Sequence, residues 1–351
     1  NLNCAYCYVA KDGREMPLET ALRTVDFVLR SPGQKKLLQI YGGEPFLCFD
    51  LVKTVIERAR ALEKQSGKTL VLSVATNGTL IQKSSLLFLK ENRARLAVSI
   101  DGRQAFHDQA RKTRNGKSVY QKIMDHIPLI MDILGPARTY VLFGVLPQSA
   151  PHVYDNFRYL ERLGFDCFNF ENIVSDQYRW NSDQAEQFKT NFLKVMGYID
   201  HNIPKGKFIF LKRLNTELDN QSVSRYLDSG CPFWEDLVIY PDGEMTFSPF
   251  LVNLPDPRKQ QYVIGNISGT LHKQYRDCVY DAASVICREC LNNYTGINDR
   301  SQGGKTSPFN HVDDVHRLRY VSAVYFARKI ISEAQRDPIY ADYMREAGER
   351  L

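Results

Sequence analysis

The chain has 351 residues, 43% of them hydrophobic and 25% charged, and a formal net charge of +6. This length suits one large α/β domain with a smaller appendage, and the composition excludes a mainly disordered chain. Lys and Arg are spread along the chain, so no nucleic-acid arm is expected, and no apolar stretch approaches the ~18 residues that span a bilayer.

Behind Pro17, residues Leu18, Leu22, Val25 and Leu29 recur at helical spacing, and the apolar run Leu37–Tyr41 then stops at Gly42-Gly43. Leu51, Val55, Ala59 and Leu62 define one face of a second helix that ends at Gly67. The pattern next predicts a strand over Leu70–Ala75, a helix near 82–91, a strand over Leu96–Ile100 and a helix over 118–134. Strand Tyr140–Val145, a helix over 152–163 closed by Gly164, and strand Cys167–Phe170 complete a series of five strands. Strands separated by single helices imply βαβ crossovers and a parallel sheet. After about residue 215 the alternation ends. Leu237–Tyr240, the turn Pro241-Asp242-Gly243 and Met245–Phe247 read as a β-hairpin. A Cys-rich irregular stretch covers 278–296, a polar linker covers Asn298–Ser307, and 312–350 is expected to be helical.

The eight cysteines are Cys4, Cys7, Cys48, Cys167, Cys231, Cys278, Cys287 and Cys290. Two CxxC pairs with singletons between them point to metal or redox use in a reducing compartment, hence to the cytoplasm. Taken alone, Cys4-Ala5-Tyr6-Cys7 is compatible with a thioredoxin-like dithiol, half a zinc site or two unrelated thiols. Gly42-Gly43-Glu44-Pro45 alone is a strand-to-helix turn, and Thr76-Asn77-Gly78 alone is a turn. Asp101 in Ser99-Ile100-Asp101-Gly102 alone is a helix cap. All three segments, however, fall at the end of an expected strand, where parallel β/α barrels bind their ligands.

In that context Asn1-Leu2-Asn3-Cys4-Ala5-Tyr6-Cys7-Tyr8 resembles the tail of the radical S-adenosylmethionine (SAM) signature, Cys-x3-Cys-x2-Cys. The resemblance implies three thiolates on a 4Fe–4S cluster, with the fourth iron open to the amino and carboxylate groups of SAM. Electron transfer into SAM then gives methionine and a 5′-deoxyadenosyl radical. It further implies a first strand and a first cluster cysteine immediately upstream of Asn1. Gly42, Gly43, Glu44 and Pro45 resemble the GGEP motif that receives the SAM ammonium, its glycines allowing close backbone approach. Asn77, Ser99 and Asp101, with Tyr6, fall in the cofactor-binding set that this likeness implies. His107-Asp108-Gln109-Ala110-Arg111 and Gly116-Lys117-Ser118-Val119-Tyr120 resemble segments of the SPASM-containing branch, which includes anaerobic sulfatase-maturating enzymes and ribosomal-peptide maturases. On this likeness Arg111 pairs with a carboxylate of SAM or substrate; the alternative is a salt bridge that holds the loop.

The SPASM likeness weakens further on. Cys231 lies at the expected distance before Gly243, but Ser248 stands where the next cysteine belongs. Cys287 and Cys290 supply a Cys-x2-Cys step, whereas Gly296 and Arg300 occupy two later ligand positions. Two all-cysteine auxiliary clusters are thereby excluded. One auxiliary Fe–S cluster on Cys231, Cys278, Cys287 and Cys290, a zinc site on the same four, or plain thiols remain open. Cys48 and Cys167 sit in apolar surroundings and read as buried small hydrophobes.

The expected fold is therefore α/β. A partial (β/α)6 TIM-like barrel covers 1–215, a small degenerate SPASM/twitch-like β-hairpin domain covers 216–310, and C-terminal helices cover 311–351. The resemblance implies a radical SAM enzyme that abstracts hydrogen from a peptide or protein substrate, served by an electron donor such as flavodoxin or ferredoxin. A radical SAM enzyme acting on a small molecule and a non-catalytic SAM- or peptide-binding maturation scaffold are the alternatives. No membrane or nucleic-acid partner is expected, and no general acid or base is identifiable.

Overall fold

The computed structural model describes residues 1–9, 11–173, 177–212, 237–246, 263–269, 322 and 325–350. They belong to two compact units. Asn1–Tyr6, Ser73–Val223 and Gly303–Leu351 form the first, and Cys7–Leu72 with Ser224–Gln302 form the second.

In the second unit, helix α1 (Leu18–Arg30) buries Val25 and Leu29 of the expected stripe together with Ala21, while Leu22 is half-buried and Leu18 at the helix start stays half exposed. Strand β1 (Lys35–Ile40) follows, then a short 3-10 turn over Pro45–Cys48 and helix α2 (Phe49–Ser66). Arg58 of α2 grips both carboxylate oxygens of Asp26 on α1 at 2.8 and 3.1 Å. Buried Arg60 bonds Glu63 Oε2 at 2.7 Å and the Leu70 carbonyl at 2.9 Å, tying α2 to the start of strand β2 (Thr69–Thr76). The hairpin predicted around Pro241-Asp242-Gly243 is present: Val238–Ile239 pairs antiparallel with Glu244–Thr246, which in turn pairs with Gly265–Asn266.

The first unit holds the end of β2 and the repeats that follow. These are α3 (Lys83–Glu91), β3 (Arg95–Ser99), α4 (Gln104–Ala110), α5 (Tyr120–Ile133), β4 (Thr139–Val145), α6 (Val153–Arg162), β5 (Cys167–Asn172), α7 (Ser182–Asn202) and β6 (Phe210–Leu211). Strands β1 to β6 form one six-stranded sheet in chain order, and β2 to β6 pair in parallel. This is the α/β architecture of a partial (β/α)6 barrel. Within the chain the sequence reading counts five strands; the sixth here is β6, whose two residues are too few to show any alternation.

Period-two alternation separates the two faces of the sheet. On one face Phe143, Phe168 and Phe170 meet Phe157 of α6 and Phe192 of α7, with ring centroids 4.9–5.4 Å apart between neighbours. Each fully buried ring contributes on the order of 2 kcal/mol or more. On the other face polar groups pair: Ser73 Oγ meets Tyr140 Oη at 2.9 Å, and Lys212 Nζ donates to the same hydroxyl at 3.1 Å.

The chain is helical again over 325–334 and in α8 (Pro338–Glu349), which Asp337 caps by accepting from the Ile339 N–H at 3.0 Å. Tyr343 stacks on Phe210 with centroids 5.2 Å apart and donates to the Ile209 carbonyl at 2.9 Å. Arg350 donates to both oxygens of Asp166 at 2.8 and 2.9 Å and to the Pro136 carbonyl at 2.9 Å, while Arg95 reaches the Glu349 carbonyl. Arg95, Pro136, Asp166 and Ile209 all stand at or just before the N-terminal ends of β3 to β6. The C-terminal helix thus packs on that end of the sheet, and the strand C-termini point the opposite way. Cys231, Cys278, Cys287 and Cys290, the irregular stretch 278–296 and the segment 298–307 lie outside the described residues. No helix among the described residues is long and apolar enough to cross a membrane.

Burial pushes the Asp166 carboxyl above its usual range even against the Arg350 guanidinium, so desolvation offsets much of the attraction in this pair. Removing one partner strands the other. Arg350→Ala is expected to cost about 3 kcal/mol in urea unfolding. The double variant Arg350→Met/Asp166→Asn should lose less than the single one, and equal losses would contradict this account.

Candidate cofactor site

The segment Asn1–Tyr6 runs extended and antiparallel to Ala110–Thr113. Leu2 bridges Thr113, Asn3 N–H donates to the Lys112 carbonyl at 2.8 Å, and Ala5 N–H donates to the Ala110 carbonyl at 2.8 Å. Leu2, Cys4 and Tyr6 are half-buried while Asn1, Asn3 and Ala5 are exposed, the alternation of a strand with one face inward. Its start is fixed at the end of β2. Asn77 donates to Asn1 Oδ1 at 2.9 Å, Asn1 donates to Thr79 Oγ1 at 2.9 Å, and Asn77 Oδ1 accepts from Thr79 N–H at 3.0 Å. Asn77, placed with SAM by the sequence reading, is therefore engaged in holding the cysteine segment.

Asp101 lies two residues beyond β3, only 2% exposed, and three donors from distant segments converge on it. Tyr6 Oη and Arg111 Nε reach Oδ2 at 2.7 and 2.8 Å, and Gly144 N–H reaches Oδ1 at 3.0 Å. A carboxylate offers about four acceptor positions, so one is left for a ligand. Arg111 also stands over the Tyr6 ring, 5.2 Å from its centroid, and Tyr6 meets Tyr178 edge-on at 6.5 Å. Burial alone would pull the Arg111 proton affinity down; the Asp101 carboxylate and the neighbouring Tyr6 and Cys4 outweigh it and raise it. Burial pushes the Tyr6 phenol well above its usual range. Of the two readings of Arg111, the structure displays the salt bridge within the chain.

Ser99 ends β3 with a half-buried hydroxyl that has no hydrogen-bond partner among the described residues. His107 is fully buried. Its Nδ1 accepts the Asp101 N–H at 3.4 Å, its Nε2 has no partner among the described residues, and burial pulls its pKa down to about 4. Gly144 is a residue that the sequence reading passed over. A Cβ there would sit 2.8 Å from Asp101 Oδ1 and 3.0 Å from Tyr6 Oη, so only glycine lets these groups meet. The available signal was a lone glycine inside an apolar strand, which often marks close approach by another group.

The second unit carries Cys7, Tyr8 and the Gly42–Pro45 turn. Cys7 is exposed and, like Cys4, makes no disulfide, and Tyr8 Oη bonds Tyr41 Oη. Gly42 adopts φ 146°, and among the described residues nothing lies within 4 Å of where a Cβ on Gly42 or Gly43 would project. The backbone there is open to close approach by a ligand. Glu44 is 7% exposed and caps the 3-10 turn by accepting the Phe46 N–H at 3.1 Å. Cys167 is buried as expected, its thiol pushed up to about 12 by burial. Cys48 differs from expectation: it is half-buried, and its thiol contacts Glu15.

Cysteines outside any disulfide suit a thiolate-held cluster, and a glycine backbone without nearby side chains among the described residues suits an amino-acid ligand. Among the described residues no group of three or more His, Cys, Asp or Glu side chains is placed to hold a metal ion.

Two outcomes test this geometry. Because native His107 resists protonation, the unfolded chain binds more protons between pH 6.5 and about 4, and stability falls as pH drops through that window. The His107 share of the loss approaches roughly 3 kcal/mol, and a His107→Gln variant should show a correspondingly shallower fall in acid. Gly144→Ala should lose about 2 kcal/mol through overpacking against Asp101; unchanged stability in thermal unfolding would contradict the close contact.

The chain has clear relatives. The family profile described as the radical SAM superfamily matches residues 1–160. An uncharacterized protein of Methanocaldococcus jannaschii, MJ0907, is 34% identical over 255 residues, covering 68% of this chain and 82% of the relative. The cysteine-type anaerobic sulfatase-maturating enzyme of Clostridium perfringens is 29% identical over 211 residues; the match spans 55% of each chain, about half the length of that enzyme. Among solved structures, native anSMEcpe with bound AdoMet superimposes with a TM-score of 0.70 at 18% identity, covering 93% of this chain and 96% of the other. Streptococcus suis SuiB bound to its precursor peptide SuiA gives a TM-score of 0.53 at 16% identity, covering 90% and 67%. The sheet, the cysteine segment docked at its strand ends and these matches converge: the chain belongs to the radical SAM superfamily.

Proposed function

We propose that this enzyme cleaves SAM reductively and abstracts hydrogen from a side chain of a peptide or protein. The observation that carries the reading is the cysteine segment, anchored through Tyr6 and Asp101 at the C-terminal ends of β3 and β4, the end where parallel β/α folds bind ligands. The superfamily uses a 4Fe–4S cluster and SAM, which together supply a carbon-centred radical. Cys4 and Cys7 are assigned as cluster thiolates. Gly42, Gly43, Glu44 and Pro45 are assigned to the SAM amino and carboxylate groups, and Ser99 with the remaining acceptor position of Asp101 to its ribose. Asn77 holds the start of the cysteine segment, and Tyr6 and Arg111 hold Asp101.

The substrate class rests on likeness. A relative matures sulfatases, and a fold neighbour is solved with a precursor peptide. The proposed partners are accordingly a peptide or protein and a one-electron donor of the flavodoxin or ferredoxin class, in the cytoplasm. Cys231, Cys278, Cys287 and Cys290 are proposed to hold one auxiliary Fe–S cluster, with a zinc ion or plain thiols as the alternatives; iron and zinc analysis of Cys287→Ala/Cys290→Ala separates the three.

Full-length protein reconstituted anaerobically should lose the SAM-binding cluster in a Cys4→Ala/Cys7→Ala variant, read as a fall of about four iron atoms per chain. For the substrate class, reduced enzyme and SAM are mixed with a protein extract of the host grown on deuterated amino acids. Deuterium should appear in 5′-deoxyadenosine with the protein fraction and not with the small-molecule filtrate. Label from the filtrate alone would favour a small-molecule enzyme, and no 5′-deoxyadenosine from any fraction would favour a binding scaffold.

A further inference from the structure

We propose that Arg111 is an electrostatic tuning residue whose fixed positive charge, directly across from Cys4, makes the group held by that thiolate easier to reduce. The proposal rests on the assignment of Cys4 as a cluster ligand. The register carries it. Leu2 lies opposite Thr113, and the bonds Asn3 N–H to Lys112 and Ala5 N–H to Ala110 bracket the pair Cys4 and Arg111. Directly opposed residues of antiparallel strands share a face, with Cβ atoms about 4.5–5.5 Å apart. That face is the inward one, since Leu2, Cys4 and Tyr6 are half-buried and their sequence neighbours exposed. Arg111 is confined there by its 2.8 Å bond to Asp101 and its position over the Tyr6 ring, two residues along from Cys4. The electrostatic coupling of Arg111 to Cys4 agrees with this placement.

A guanidinium keeps its proton throughout the physiological range, so the charge is constant. Its side chain is 11% exposed, which leaves little water to screen it. When one electron enters from a donor and no proton follows, the group on Cys4 gains one unit of negative charge. Arg111 lowers the cost of that change, and the Asp101 carboxylate beside it partly cancels the effect. The two members of this ion pair therefore act on the potential with opposite signs. A role confined to holding the loop would give no such opposition.

The test is a potentiometric titration with dithionite, followed by electron paramagnetic resonance, of anaerobically reconstituted full-length protein without SAM. Arg111→Gln should move the midpoint to more negative values, lowering the reduced-to-oxidised ratio at a set potential about tenfold, which is about 59 mV for one electron. Arg111→Lys should stay near the parent, and Asp101→Asn should shift the midpoint the other way. An unchanged midpoint in Arg111→Gln, or shifts of the same sign in Arg111→Gln and Asp101→Asn, would overturn the proposal. If Arg111→Gln fails to retain iron, the Asp101→Asn shift decides, an upward move supporting it and no move refuting it. If the parent protein itself takes up no cluster at Cys4, the assignment beneath the proposal fails, and the proposal with it.

Discussion

The buried carboxylate of Asp101 is the constraint on which the rest of the first unit depends. It receives Tyr6 from the cysteine segment, Arg111 from the loop after α4 and the backbone of Gly144 from β4, three segments far apart in sequence. Burying an ion pair brings little net stability, because each charge gives up its water. What it brings here is position. With Asp101 in place, the pleat of the Asn1–Tyr6 segment can lie in only one register against Ala110–Thr113, since a slip of one residue would turn Cys4 and Tyr6 outward. His107 supports the carboxylate from behind by accepting the Asp101 N–H, and it can do so only while neutral.

The two ends of the sheet in the first unit have different work. At the N-terminal strand ends, α8 and Arg350 pack on Asp166, Pro136 and Ile209 with aromatic stacking and paired charges, a structural arrangement. Just past the C-terminal ends of β2 and β3 and at the penultimate residue of β4 lie Asn77, Asp101 and Gly144, where side chains and backbone are arranged around the cysteine segment. This polarity is the usual one of parallel β/α folds, in which conserved chemistry is mounted where the strands end. The C–H chemistry belongs to the cofactors, and the protein contributes binding, orientation and charge.

Much of this was legible in the sequence because periodicity is a direct imprint of burial. The helical spacing of Leu22, Val25 and Leu29 and the apolar runs of β2 to β5 gave the βα order, and the Pro241-Asp242-Gly243 turn gave the small hairpin. Strand β6 escaped because two residues carry no period. The motif residues were found as residues, yet their partners were not. Nothing in the linear order says that Asn77 bonds Asn1, or that Arg111 pairs with Asp101 instead of an external carboxylate. Those pairings are set by long-range packing. Gly144 was visible as a glycine within a strand, but which groups needed the space beside it was not. Cys48 was read from its apolar neighbours in sequence, which say nothing of Glu15, a carboxylate remote in the chain that adds to partial burial in raising the thiol.

The central claim is that the thiols at the start of the chain hold a cluster whose free iron takes the amino-acid end of SAM. Electron–nuclear double resonance of the reduced, reconstituted protein, with SAM isotopically labelled at its amino nitrogen, tests it most directly. A hyperfine coupling between the label and the cluster, absent from the Cys4→Ala/Cys7→Ala variant, is the result this account requires. Bound SAM with no coupling to the cluster would contradict it.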